Sequence, residues 1–359
     1  MKLKKIGIIN SGGDCPGLNT VIDTIVTSLE ADYKVLGFYK GFEGLLAKEY
    51  LELNSDFTNF FRFQGGTFLK TVNKGNFASK VGSGQIRQIP EEILSKTAKN
   101  YHDLGLEGLI VLGGDGTMEI VYQLQRYNLN IIGVPKSMDN DLPGTDFTFG
   151  FHTAVEIATE ALDRLETVGQ SHDRIMILEV MGRWAGWVSL FSGLAGGANI
   201  ILIPEIDFSW NSITNFLEKR LSLGKKNTLI IAAEGSKLSG GEISSKSLGS
   251  KASESSLGGV GDQISQYLNG ITHFEARSTN LGHIIRGGSP GSFDRLLSMP
   301  LGVHASKLMR ARKFGNMVTY EQGKFSQLPI EECVGKLKLV EKTNFHVETG
   351  RALGVCFGD

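Results

Sequence analysis

The chain has 359 residues, 41% hydrophobic and 21% charged, which describes a globular protein long enough for two cores. A formal net charge of −1 excludes a general attraction to nucleic acid or an acidic membrane, and no apolar run approaches the ~20 residues that span a bilayer. Cys15, Cys333 and Cys356 are scattered and form neither a metal-ligand spacing nor a disulfide frame, so a cytoplasmic protein without a signal peptide is expected.

Lys5–Asn10 predicts a first strand. Ser11-Gly12-Gly13-Asp14-Cys15-Pro16-Gly17 follows, then a helix with Leu18, Val21, Ile22, Ile25, Val26 and Leu29 on one face. A glycine turn that opens a helix suits a phosphate, and it equally serves packing alone. Residues 34–39 predict the next strand. Phe61–Phe77 is irregular and holds Gly65-Gly66-Thr67 with the cations Lys70 and Lys74, which lean over a phosphate or are solvated; the sequence leaves both readings open. Pro90 opens a helix over Glu91–Asp103.

The stretch from Leu109 to Gly150 carries the chemistry. Leu109–Leu112 and Ile131–Val134 read as buried parallel strands, each ending in a turn suited to phosphate and a divalent metal. After the first, Gly113, Gly114 and Gly116 let backbone N–H groups approach an anion, a helix begins near Thr117, and Asp115 offers the hard oxygen that Mg²⁺ prefers. After the second come Pro135-Lys136-Ser137-Met138-Asp139-Asn140-Asp141, which place two carboxylates where open α/β sheets bind ligands.

Phe151–Val168 predicts a long helix, Arg174–Val180 a strand running into Met181-Gly182-Arg183, and the segment from Trp187 a buried helix. Strands over 199–203, 227–233 and 279–285, with a helix across 210–222, extend an alternation that argues for parallel α/β layers. The Ser/Gly-rich stretch 236–261 reads as a mobile surface loop. Beyond Ala305 the pattern gives a helix to about Arg312, an alternating stretch near Met317 and a charged tail. Arg174, Arg183, Arg277 and Arg286 recur at turns, with His283 beside the last, and guanidinium forks match phosphate oxygens. Glu234 ends a strand where a carboxylate bonds sugar hydroxyls or caps a helix.

Six segments together resemble the ordered motif set of the 6-phosphofructokinases. They are Ser11–Asp14, Gly65–Thr67, Gly113–Thr117, Pro135–Asp141, Glu179–Arg183 and Gly282–Gly288, and the match runs from Lys5 to about Ala305. The resemblance implies two doubly wound parallel-sheet, Rossmann-like lobes with the active site in the cleft between them. Residues 1–149 with about 287–335 would form a nucleotide and Mg²⁺ lobe, and 150–286 with about 336–359 a sugar-phosphate lobe.

It further implies transfer of a phosphoryl group to the 1-hydroxyl of fructose 6-phosphate, the committed step of glycolysis, in an allosteric enzyme. Asp139 would be the base, Asp115 would hold Mg²⁺, and Asp141, Ser137 and Arg183 would share the catalytic work. Gly13, Asn73, Lys74, Gly114, Asp115, Gly116 and Thr117 would line the nucleoside triphosphate. Arg174, Arg277, His283 and Arg286 would hold the sugar phosphate. Ser137, Met138, Met181, Gly182, Arg183, Glu234, Ile284 and Ile285 would contact the rest of the acceptor. Arg174 and Arg277 would serve a neighbouring subunit, which implies a homo-oligomer, usually a tetramer.

Two positions bear on the donor. Gly116 leaves space for an α-phosphate where pyrophosphate-dependent relatives look to have aspartate, whereas Lys136 is the residue common in those relatives. Excluded volume and like-charge repulsion outweigh an added cation, so ATP is expected. Three departures stand out. Asn73-Lys74 replaces an arginine over the transferring phosphoryl, Lys70 replaces a glycine, and Asp23, Thr27 and Glu166 align with the arginines of a nucleotide-effector site, so no ADP activation is expected there. The competing readings are a pyrophosphate-dependent enzyme, a silent regulatory subunit, and a lipid- or NAD-type kinase. Retention of Asp115, Asp139 and Asp141 speaks against the second, and the arginine set with Met181–Arg183 against the third.

Overall fold

A computed structural model describes residues 3–359 apart from 73, 79–87, 240–244, 247–255, 258 and 273. The chain divides into two compact units, Met1–Thr153 with Arg286–Lys338, and Ala154–Ile285 with Leu339–Asp359. In chain order the first unit holds β1 (Lys4–Asn10), α1 (Leu18–Leu29), β2 (Tyr33–Phe38), α2 (Phe42–Ala47), β3 (Tyr50–Leu53) and α3 (Ser55–Asn59). It continues with α4 (Glu91–Asp103), β4 (Leu106–Gly113), α5 (Asp115–Gln125) and β5 (Ile131–Pro135). The second unit takes α6 (Phe151–His172), β6 (Ile175–Val180), α7 (Trp187–Ala195), β7 (Ile200–Leu202), α8 (Trp210–Ser222) and β8 (Thr228–Ala233). After them come β9 (Ser245–Lys246), β10 (Ser256–Leu257), α9 (Val260–Ile271) and β11 (Ala276–Asn280). A 3₁₀ turn over Gly282–Arg286 leads back to α10 (Ser292–Arg310), β12 (Asn316–Glu321) and β13 (Lys324–Pro329) of the first unit, and α11 (Phe345–Ala352) lies in the second.

The first unit is a seven-stranded sheet ordered β13-β12-β5-β4-β1-β2-β3. Its five inner strands are parallel, and β3 and β13 are antiparallel edges that the sequence pattern did not anticipate. The inner strands are apolar without alternation because both faces are covered; every residue from Leu109 to Leu112 has no exposure. The apolar stripe of α1 is buried as its spacing requires, and α1 packs on α10. Gly302 marks the close approach, since a Cβ there would lie 2.9 Å from Thr24 Cβ.

The second unit is a four-stranded parallel sheet ordered β11-β6-β8-β7, with Ile175, Ile177, Ile230 and Ile264 in its core. Glu179, at the end of β6, is buried and accepts Gly259 N–H at 2.9 Å, Gly261 N–H at 2.8 Å and Asn280 Nδ2–H at 2.5 Å. One carboxylate thereby fixes the start of α9 and the end of β11. Glu179→Ala leaves the Gly259 and Gly261 N–H groups buried without this partner, while the exposed Asn280 amide turns to water, and calorimetry is expected to show a loss of about 3 kcal/mol, each orphaned group costing about 1–3.

Four expectations are corrected. The strand expected over 279–285 lies at Ala276–Asn280, and Gly282–Arg286 coils into a 3₁₀ turn that buries Ile285 and leaves Ile284 65% exposed. The stretch 236–261 stops being a loop at Val260, where α9 begins with Val260, Ile264 and Leu268 buried on one stripe; much of it lies outside the described residues, and Ser245–Lys246 pairs with Ser256–Leu257. The helix placed after Ala305 starts at Ser292 and runs through Pro300. The long helix ending at Val168 continues to His172, where Asp173 adopts φ +52°.

Candidate active site

In the first unit β1 and β4 are neighbours from which the chain departs in opposite directions, to β2 on one side and β5 on the other. Ligands of open parallel sheets bind at the carboxyl ends beside such a switch. Both glycine turns of the sequence fall there, and Ser11 N–H donates to Leu112 O at 2.9 Å. Gly114 caps α5 in an extended conformation and Asp115 is its first residue, so the N–H groups of that helix end face the same place.

A cavity of about 320 Å³ opens at this point. Gly13, Gly114, Asp115, Gly116 and Thr117 line it from the glycine turns, and Lys136, Ser137, Met138, Asp139 and Asp141 from the turn after β5. Arg286 completes the lining. Its Nη2 donates to Asp14 O at 2.7 Å, and a Cβ on Gly13 would fall 1.7 Å from that nitrogen, so the guanidinium lies where any side chain at 13 would go. The resemblance groups Arg286 with the sugar phosphate, and in the structure it lines the cavity beside the first glycine turn.

The carboxylate turn is closed by its own side chains. Ser137 Oγ donates to Asp141 Oδ1 at 2.5 Å, and Asp139 N–H donates to Ser137 Oγ at 3.3 Å. Asn140 adopts φ +54°, accepts Thr148 N–H at 3.0 Å and donates to Asp146 O at 3.2 Å, while the Thr148 hydroxyl donates to Ser137 O. Burial pushes the Asp141 carboxyl above its ordinary range, and the Ser137 hydroxyl opposes that shift. Lys136 is buried, which pushes its ammonium down to about 8, and its Nζ donates to Gly13 O. This lysine thus ties the turn after β5 to the turn after β1, a link that no local pattern signals.

Lys74 is exposed and does not line this cavity, and Asn73 lies outside the described residues. Lys70 stands at φ +57°, the region that favours glycine, which accounts for the glycine expected there. Among the described residues no three His, Cys, Asp or Glu side chains group into a metal cage. Mg²⁺ does not require one: it is held by one or two carboxylates with substrate phosphates and water, and Asp115 on the wall of a phosphate-sized cavity fits that donor set.

In the second unit Met181, Gly182, Arg183, Glu234 and His283 gather at the carboxyl ends of β6, β8 and β11, whereas Arg174 and Arg277 lie at the opposite, amino ends of β6 and β11. Glu234 N–H donates to Val180 O at 2.9 Å and Gly235 N–H to Gly182 O at 3.1 Å, which sets Glu234 beside Met181–Arg183. Gly182 is held at φ +143°, a conformation that L side chains rarely adopt. Leu281 N–H donates to Glu179 O at 3.0 Å, which brings His283 to the same strand end. His283 and Ile284 are exposed, whereas the Ile285 side chain is fully buried and leaves only its main chain for contact. Arg183 is exposed, its guanidinium 5.3 Å from the Trp184 ring centre. Arg174 and Arg277 both bond Glu275 and together hold its carboxyl below the usual range, against burial, which acts the other way. At the positions aligned with effector arginines, Asp23 is buried against Arg62 and the Thr58 hydroxyl, and Glu166 accepts Asn227 Nδ2–H at 3.0 Å.

Comparison with known proteins places this geometry. The family model "Phosphofructokinase" matches residues 5–309. The "ATP-dependent 6-phosphofructokinase 2" of Clostridium perfringens is 42% identical over 362 residues, covering 99% of each chain. The "ATP-dependent 6-phosphofructokinase" of Chloroflexus aurantiacus is 41% identical over 360 residues, covering 100% of this chain and 99% of its own. Among solved structures, Pichia pastoris phosphofructokinase in the T-state superposes with a TM-score of 0.80 at 28% identity, over 93% of this chain and 35% of the longer Pichia chain. Full-length relatives at this identity, a family match across both units and two glycine turns at one switch point agree: the chain belongs to the phosphofructokinase family.

Proposed function

We propose that the protein transfers the terminal phosphoryl group of ATP to the 1-hydroxyl of D-fructose 6-phosphate, giving fructose 1,6-bisphosphate and ADP. The observation that carries this reading is the cavity in which the α5 N-terminus, Asp115, Asp139 and Arg286 meet. The names of the full-length relatives support ATP over pyrophosphate.

Two polyanions have to be brought together, and their repulsion is the first obstacle. The N–H groups at Gly114–Thr117 and the Arg286 guanidinium offset it on the donor side. Asp115 would hold Mg²⁺, which supplies further charge neutralisation when bound. Asp139 accepts the proton of the acceptor hydroxyl, and Ser137, hydrogen-bonded to Asp141, stands beside the phosphoryl in transfer. Arg174, Arg277 and His283 hold the sugar phosphate, while Met181, Gly182, Arg183 and Glu234 contact the sugar. Arg277, 64% exposed at its side chain, suits a role in a neighbour's site, so we read the working form as a homotetramer in the cytoplasm. Among the described residues no helix is long and apolar enough to cross a membrane.

Initial rates with ATP and with pyrophosphate, at varied fructose 6-phosphate and with or without ADP, test the reading. Turnover is expected with ATP alone, and ADP is expected not to shift the fructose 6-phosphate curve leftward. Turnover with pyrophosphate and none with ATP would overturn it.

A further inference from the structure

Lys338 is the last residue of the first unit, far downstream of the carboxylate turn, and nothing in its charged surroundings in the sequence distinguishes it. Three hydrogen bonds from it nevertheless end on the segment that continues that turn. The main-chain N–H donates to Asp141 O at 2.8 Å, and Nζ donates to Thr145 O and to Asp146 O, each at 2.8 Å. Asp146 O also takes the Asn140 side chain at 3.2 Å, so the ammonium and the Asn140 amide share one carbonyl. The ammonium faces two carboxylates, Asp141 and Asp146, and Asp141 in turn faces Lys136, Lys338 and the Ser137 hydroxyl. Lys338 does not line the cavity, so it has no direct part in holding substrate.

We propose that Lys338 is a positioning residue for phosphoryl transfer, a clamp applied from outside the turn that holds the Asp139–Asp141 segment in its working conformation. The turn departs from regular structure at Asn140 (φ +54°), a backbone state that persists only when surrounding bonds over-determine it. Internal bonds from Thr148 and Asn140 close the loop on itself, and Tyr320 and Gln322 hold its far end at Thr145 and Asp146. Lys338 reaches both ends: its main-chain N–H holds Asp141 O, a bond that any of the test variants keeps, while its ammonium adds to the hold on Thr145 and Asp146 and faces the Asp141 carboxylate. A reacting group displaced by about 1 Å loses on the order of 10²-fold in rate, so an anchor of this kind acts on kcat. The inference rests on the reading of Asp139 as the base.

The test is Lys338→Met in the full chain, with Lys338→Arg as the conservative partner. We expect kcat to fall at least tenfold in Lys338→Met, KM for ATP and for fructose 6-phosphate to stay within twofold, and Lys338→Arg to recover most of the rate. Amide hydrogen exchange across 137–148 is expected to accelerate in Lys338→Met, a readout that does not depend on turnover. If the parent chain itself shows no turnover, the proposed activity fails while the exchange measurement still decides the clamp. An unchanged kcat, a loss of kcat matched by equal rises in both KM values, or unchanged exchange in the turn overturns the proposal. Should Lys338→Met fail to fold, Lys338→Gln, which keeps a donor and drops the charge, carries the same measurements.

Discussion

Asp139→Asn binds ATP and fructose 6-phosphate and turns them over about 10²–10⁴-fold more slowly than the parent, the range that a positioned general base contributes. The amide has nearly the shape of the carboxylate and still accepts a hydrogen bond, so the fold around it has little reason to change. Asp139 N–H keeps its bond to Ser137 Oγ, and Asn140 keeps Thr148 and Asp146, because none of these uses the Asp139 side chain. What the amide lacks is the capacity to take a proton at neutral pH. Binding of each substrate by calorimetry, set beside single-turnover rates, checks the split. A variant that turns over at the parent's rate removes Asp139 from the reaction.

The second large effect belongs to the donor. Gly116→Asp raises KM for ATP by about 10³-fold while the folded protein stays close to its parent in thermal stability. Gly116 is buried in the first turn of α5, between Asp115 and Thr117, on the wall of the cavity. A new carboxylate at a helix N-terminus is favourable to the helix itself by about 0.3–1 kcal/mol. Against an anion about 4 Å away, at an effective dielectric of about 20, the same charge costs about 4 kcal/mol. The second number wins, and it acts only when a polyphosphate is present. Saturation curves for ATP together with a melting scan separate the two terms. An unaltered KM for ATP would show that no phosphate of the donor passes this residue.

Much of the cavity was legible in the sequence for a definite reason. Strands covered on both faces read as unbroken apolar runs, and Leu109–Leu112 and Ile131–Val134 each ended in glycine or aspartate at the place where a parallel sheet binds ligands. Motif order carried the grouping of Met181–Arg183 with Glu234. The losses came from contacts that depend on long sequence separation. Arg286 sits on Asp14 from 272 positions away, and no local pattern told it apart from the arginines of the second unit. Lys136 was legible as a cation that bears on the donor, but not the bond of its ammonium to Gly13 O, 123 positions away. The helix from Val260 was hidden because the serine- and glycine-rich stretch before it carried no periodicity to mark a beginning. The edges of the first sheet were missed because β3 has four residues and β13 is half-exposed along its length, so composition did not single them out.

The interleaving of the two units has a consequence for biosynthesis. In the first sheet β5 pairs with β12, Ile132 opposite Asn316 and Gly133 opposite Met317, although the whole of Ala154–Ile285 lies between them in the chain. As the polypeptide leaves the ribosome, β5 is therefore a bare strand edge until the second unit has been made, and α1 waits as long for α10. The nascent first unit has to be shielded through that interval. An amino-terminal fragment ending at residue 285 would carry the glycine turns and both carboxylate positions on a sheet that has nothing to close it.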